Sequence, residues 1–426
     1  MPGPSQRAFS MTRKQEEDVL PPFDYGLYDA DMHYFEPVDC FTRNAPKPMR
    51  ARMLQVKDLD GKPTAMLNGQ PFAFLSEQLF NPFGAPQELN DFISSPDWPA
   101  EEGDALQSVV LDTTWLDESP PELRKALLER DARIEWMTEK KIEGAVLYPT
   151  LGLDWVGMLP AAGSALIHTH VESFNRWLLD DWGFNTNDRL YSAPLIVLHD
   201  RERAIAELDW VLENGARMVY LIPGPYAGRS PADAFYDPIW ARLAEARVPV
   251  VLHVVILTHY GRMLTEQWGE PFDTPINRMS PWLMSQVTAG RYVSDTIMSM
   301  VFWNLFGRFP DLRIVSLENS AIWVEPLMRA MDQGAKFAID GPWPGGRIQE
   351  RPSDIFKQHV WVSPFQFEDV PRLAGLIGAD RVLFGSDYPH SEGIAEPAAF
   401  ANELEGLEEV AIRQIMRENQ LALLSR

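Results

Sequence analysis

The chain has 426 residues, of which 45% are apolar, with 38 basic and 61 acidic side chains for a formal charge of −23. That length and apolar fraction support a large core, and the charge argues against nucleic acid or an anionic membrane surface as partner. Cys40 is the single cysteine, so no internal disulfide can form and a reducing cytoplasm fits.

Met1–Pro22 is mostly polar and lacks an apolar signal core, which predicts a flexible tail. No stretch reaches the roughly 18 apolar residues of a membrane span. Residues 23–426 are then expected to form one unit. Apolar runs of strand length occur at Leu27–His33, Gly144–Tyr148, Ala193–Leu198, Met218–Ile222, Val248–His253, Arg313–Leu317, His359–Val362 and Arg381–Ser386. Helical patterns lie between most of them, at Pro121–Lys140, Ala162–Asp181, Arg201–Glu213, Pro238–Ala246, Ala321–Gln333 and Val370–Ile377. This alternation predicts an α/β fold, a closed (β/α)8 TIM-like barrel.

Two connections exceed ordinary turns, at 37–119 and 254–307. Asp60-Gly61 and Asn68-Gly69 in the first are hairpin signals. Its aromatic residues Phe72, Phe74, Phe80, Phe83 and Trp98 suggest a cap. The second carries Trp268, Trp282, Met284, Tyr292, Met298, Met300, Phe302 and Trp303. Both follow barrel strands, which would place them at the C-terminal face.

Three strands end in groups able to bind a metal. Asp31 and His33 are two apart and point the same way in a strand, His253 ends the fifth, and Asp387 follows the eighth. Two imidazoles and two carboxylates would hold a divalent ion with positions left open. Glu36 and His390, each three residues beyond one of these groups, could reach the same mouth. Each is also readable otherwise, Glu36 as a loop carboxylate and His390 as a donor orienting Asp387. His168 and His170 lie two apart in a helix and read as surface or interface residues. His199 and Asp200 follow strand three at a mouth position, His259 could line the pocket, and His359 belongs to the opposite face.

Asp29-Ala30-Asp31-Met32-His33-Tyr34-Phe35-Glu36-Pro37, Phe309-Pro310-Asp311-Leu312-Arg313-Ile314-Val315 and Leu383-Phe384-Gly385-Ser386-Asp387-Tyr388-Pro389-His390 resemble the amidohydrolase-related metal-dependent barrels. Aminocarboxymuconate-semialdehyde and resorcylate decarboxylases belong to that family. The resemblance implies metal-ligand roles for Asp31, His33, His253 and Asp387. The chain departs from it at strand six, where relatives usually carry a histidine and this sequence has Glu318, as a base, a metal ligand or a partner of a nearby arginine. No lysine follows strand four, so a carbamylated lysine bridging two metals is excluded there.

The inventory Asp31, His33, Glu36, His253, Glu318, Asp387 and His390 has the carboxylate-rich balance of dinuclear iron sites. Within the family the chain resembles the non-haem diiron monooxygenases of platensimycin and platencin biosynthesis. The leading expectation is accordingly an oxidoreductase of secondary metabolism. It would use two irons, dioxygen and an electron donor to hydroxylate a large apolar, diterpenoid substrate. The aromatic and methionine-rich insertion suits such a substrate, although ordinary core or a homodimer contact explains it nearly as well. The alternative is a hydrolase or decarboxylase with a single Zn or Mn, in which Glu318 and Asp387 handle protons. A barrel decayed into a binding module is the third reading, disfavoured by the intact Asp31, His33, His253 and Asp387.

Overall fold

A computed structural model describes residues 23–72, 84–94, 115, 119–150, 159, 163–272 and 279–425. The predicted tail at 1–22 and the aromatic positions Phe74, Phe80, Phe83 and Trp98 lie outside the described residues.

Strand one, Leu27–Tyr34, is buried along its whole length and pairs in parallel with strand two, Ile142–Pro149. Strand two pairs with Leu190–Ser192. The third barrel position continues across Ala193-Pro194 to Leu195–Ile196, which pairs with strand four, Val219–Leu221. Strands five, six and seven follow in parallel at Val250–His253, Ile314–Leu317 and Val360–Val362. Their Val, Ile and Leu side chains are buried because helices cover one face and the barrel interior the other. Each such side chain contributes about 1.5–3 kcal/mol through removal from water.

The eighth position closes the ring without forming a regular strand, unlike the expectation for Arg381–Ser386. Leu383 N donates to Val362 O at 3.0 Å, Ala30 N to Phe384 O at 2.9 Å, Asp387 N to Asp31 O at 2.8 Å and His33 N to Tyr388 O at 2.8 Å. Gly385 permits this approach, because a Cβ there would stand 2.8 Å from Asp31 Cβ and 2.7 Å from Ser363 Oγ. The chain then turns at Asp387, whose φ of 55° ends the extended run.

Helices Arg201–Glu213 and Val370–Ile377 occupy the predicted ranges. The helix expected over Pro121–Lys140 is two, Pro121–Leu128 and Arg130–Glu139, because Glu129 is extended. In the first long connection Gln55–Leu59, Lys62–Leu67 and Gln70–Pro71 form an antiparallel sheet. Left-handed Asp60-Gly61 and Asn68-Gly69 make its turns. Helix Glu88–Ser94 meets the loop after the eighth position, with Leu89 N donating to Ser391 O at 2.9 Å. The second connection folds into helices His259–Gln267, Pro281–Thr288 and Arg291–Phe302. Tyr292 and Met300 join the core while Trp268 is exposed. No helix among the described residues is long and apolar enough to cross a membrane.

Candidate metal centre

Strand one delivers Asp31 and His33 to one face, helped by a register shift between Asp29 and Met32 that marks a bulge. His253 ends strand five beside them. Glu318 follows strand six in left-handed backbone, φ 53°, and Asp387 likewise sits at φ 55°. Non-glycine residues held this way gather where neighbouring structure fixes a side chain for a purpose.

The side chains converge. His33 Nε2 is 3.3 Å from Asp31 Oδ1, 3.1 Å from Asp387 Oδ1 and 3.9 Å from Glu318 Oε2. His253 Nε2 is 3.2 Å from Asp31 Oδ1 and 3.4 Å from Glu318 Oε2. His390 stacks on His33 at 3.8 Å between ring centroids, with its Nδ1 2.9 Å from Asp387 Oδ1. Asp31, His33, His253 and Glu318 make one group of potential ligand atoms within 4.8 Å of one another, and His33, Glu318, Asp387 and His390 make a second. Glu36 is buried but belongs to neither group.

The outer nitrogens fix what the rings present. His33 Nδ1 donates to Pro149 O at 3.2 Å and His253 Nδ1 to Val254 O at 3.1 Å. Both Nε2 atoms therefore face the carboxylates, the arrangement found when imidazole binds a metal. Burial pushes the Asp31 carboxyl up, but the His253 and His33 imidazoles more than reverse this and hold it well below its usual range. Burial lowers His253, and the Asp31 carboxylate outweighs it, leaving the imidazole raised. The residues fit a cation on a structural ground too. His33 Nε2 and both Asp387 carboxylate oxygens are buried and make no well-aligned hydrogen bond, only close ion-pair contacts among His33, Asp387 and His390, a costly state that a bound ion relieves.

Asp29 was not singled out by the sequence patterns. It is buried, and its Oδ1 accepts from Asp31 N and Ser386 N, each at 3.0 Å, tying together the two segments that carry Asp31 and Asp387. Burial raises its carboxyl to about 8. Its position two residues before Asp31 is the only signal in the sequence that could have found it. Arg133 carries no such signal. Buried beneath strand one, it donates from Nη2 to the His33 carbonyl at 2.7 Å.

The remaining histidines lie outside both ligand groups. His168 and His170 are buried rather than superficial, and their Nε2 atoms accept from Asp200 N and Leu54 N, each at 2.9 Å. Asp200 caps helix Arg201–Glu213 through Arg203 N at 3.2 Å, which accounts for it without substrate. His199 and His259 pack edge to face at 5.1 Å, and His359 Nδ1 donates to Leu312 O at 2.9 Å.

The amidohydrolase family model matches residues 155–426. An amidohydrolase structure from Mycobacterium avium subsp. paratuberculosis K-10 is 33% identical with a TM-score of 0.80, covering 95% of this chain and 100% of that one. A gamma-resorcylate decarboxylase from Polaromonas sp. JS666 is 24% identical over 309 residues, 68% of this chain and 86% of the relative. A dihydroxybenzoic acid decarboxylase structure from Polaromonas sp. JS666, with bound manganese and 2-nitroresorcinol, aligns with a TM-score of 0.53 at 20% identity, over 81% of this chain and 97% of that one. These relatives overturn the expected diiron monooxygenase. The oxidoreductase expectation falls with it, as does the iron pair, and these relatives give the platensimycin-type resemblance no support. Sequence match and barrel agree that this chain belongs to the amidohydrolase family and is a metal-dependent enzyme of that superfamily.

Proposed function

We propose that the protein is a single-metal decarboxylase of a hydroxylated aromatic carboxylic acid. The observation that carries this reading is the convergence of His33 Nε2 and His253 Nε2 on Asp31, with Glu318 beside both imidazoles and Asp387 beside His33. Asp31, His33, His253 and Asp387 would hold the ion, with manganese favoured by the decarboxylase that carries it. When bound, a divalent cation there supplies attraction for the oxygens of an anionic substrate.

The chain supplies the rest. Asp31 and Asp387 bring negative charge that balances the cation, and His390 holds Asp387 in place. Tyr148 and Tyr220 pack against His253 at 5.0 and 5.6 Å and wall that side of the mouth. Glu318 stands where a proton is required. As the ring–carboxylate bond breaks, carbon dioxide leaves and the electron pair stays on the ring carbon. That carbon takes the proton of the Glu318 carboxyl, and the resulting carboxylate is reprotonated from solvent. Hydrolysis is the second reading, supported by the amidohydrolase at 33% identity. In that case Glu318 accepts a proton from the attacking water.

The test is metal analysis of protein purified without added metal, with carbon dioxide release from 2,6-dihydroxybenzoate and 5-carboxyvanillate measured anaerobically. One manganese or zinc per chain, and release that a chelator abolishes and Mn²⁺ restores, is expected. Absence of retained metal, or turnover of p-nitroacetanilide without any carbon dioxide release, overturns decarboxylation.

A further inference from the structure

The segment after strand six is strained in a way that strand six alone does not explain. Glu318 and Ser320 are both left-handed, at φ 53° and 60°. That conformation is unfavourable for residues with a Cβ and persists only where surroundings over-determine it. Two side chains do so here. Asn319 Nδ2 donates to Leu252 O at 2.8 Å and Leu317 O at 2.7 Å, tying the segment to the strand that ends in His253. Glu368, in the loop after strand seven, grips the other side. Its carboxylate accepts from Ser320 Oγ at 2.6 Å, from Ala321 N at 2.8 Å and 2.9 Å, and from Phe365 N at 2.8 Å.

From these contacts we infer that Glu368 is a positioning residue for catalysis, holding Glu318 in left-handed backbone so that its carboxylate stays over the metal centre. The inference deepens the function proposed above, because it rests on Glu318 handling the proton. The hydrogen bonds of Glu368 go to Ser320, Ala321 and Phe365, none of which is among the potential metal ligands. It supplies acceptors for Ser320 and Ala321 in this turn, and without them relaxation of Glu318 to negative φ redirects its side chain. Arg372 provides a neighbouring control. It pairs with Glu325 at 2.6 Å on the same exposed face and takes no part in the clamp.

The experiment compares crystal structures and kinetics of the full-length wild type, Glu368→Ala, Glu368→Gln and Arg372→Ala. In Glu368→Ala, Glu318 is expected at negative φ with its carboxylate more than about 4 Å from His253 Nε2, beyond ion-pairing distance. Arg372→Ala keeps the wild-type 3.4 Å. With 2,6-dihydroxybenzoate as probe, kcat falls at least about tenfold while KM stays within about twofold, bound metal is unchanged, and Glu318→Gln/Glu368→Ala is no slower than Glu318→Gln alone. If Glu368→Ala fails to fold, the same comparison is made with Glu368→Gln, which replaces one acceptor oxygen by a donor. Glu318 unmoved in the variant crystals overturns the inference whatever the kinetics. A fully active Glu318→Gln overturns the proton role instead, and the crystal comparison then judges the clamp by itself.

Discussion

At the scale of single residues, Glu318 is the acidic group that strand six brings to the rim. Its carboxylate lies 3.4 Å from His253 Nε2, so a change there alters chemistry more than structure. Glu318→Gln is expected to lower kcat by about 10²–10⁴-fold, the range for loss of a positioned acid or base, with metal content unchanged; equal kcat would refute the role. His170 allows a prediction about stability. Burial lowers its imidazole to about 4 from an ordinary 6.5. Between those values the unfolded chain binds the proton and the folded chain does not. Stability is therefore lost as pH falls from about 6.5 to about 4, by up to about 3 kcal/mol. His170→Gln keeps a polar side chain without the titration, so its urea midpoint should fall less than that of the wild type across that window. Parallel midpoints for the two proteins would contradict this account.

At the scale of elements, strand-length apolar runs and turn residues located most of the fold. Helices Arg201–Glu213 and Val370–Ile377 were readable because Asp200 and Asp369 cap them and apolar positions recur along one face. Asp60-Gly61 and Asn68-Gly69 were readable because only a few residue types accept left-handed backbone in a two-residue turn. The break at Glu129 was not readable, since neither neighbour is glycine or proline and its extended backbone carries no local sequence signal. The second insertion reaches the clamp region at Gly290, which opens helix Arg291–Phe302 at φ 61°, and a Cβ there would stand 2.2 Å from Trp323 Cδ1 and 2.9 Å from Asn319 O. Gly290→Ala should therefore cost about 2–3 kcal/mol or more. Gly269→Ala, where a Cβ meets nothing within 4 Å, bears only the cost of its φ of 74°. Equal thermal midpoints for the two variants would count against the close contact.

At the scale of the whole molecule, four separated strand ends meet because a parallel barrel directs every C-terminal end to one rim. If these ends share one cation, its removal should expose repulsion among Asp31, Glu318 and Asp387. Chelated protein is then expected to melt lower than protein with Mn²⁺ restored, by an amount that grows with metal concentration. A melting temperature indifferent to chelator and Mn²⁺ would argue against the ligand set.

The sequence by itself determined the barrel and the order in which Asp31, His33, His253, Glu318 and Asp387 come to its rim, because periodicity and strand ends are local properties of the chain. It could not weigh the carboxylate-rich inventory correctly. Counting Glu36 with the others suggested two irons, whereas Glu36 lies outside both ligand groups. Only the tertiary structure decided which carboxylates meet, that Asp29 ties Asp31 to Ser386, and that Glu368 grips the turn carrying Glu318. Those partners are between 2 and 357 residues apart, and when the chain is long between two groups, only closure of the barrel brings them within hydrogen-bonding distance.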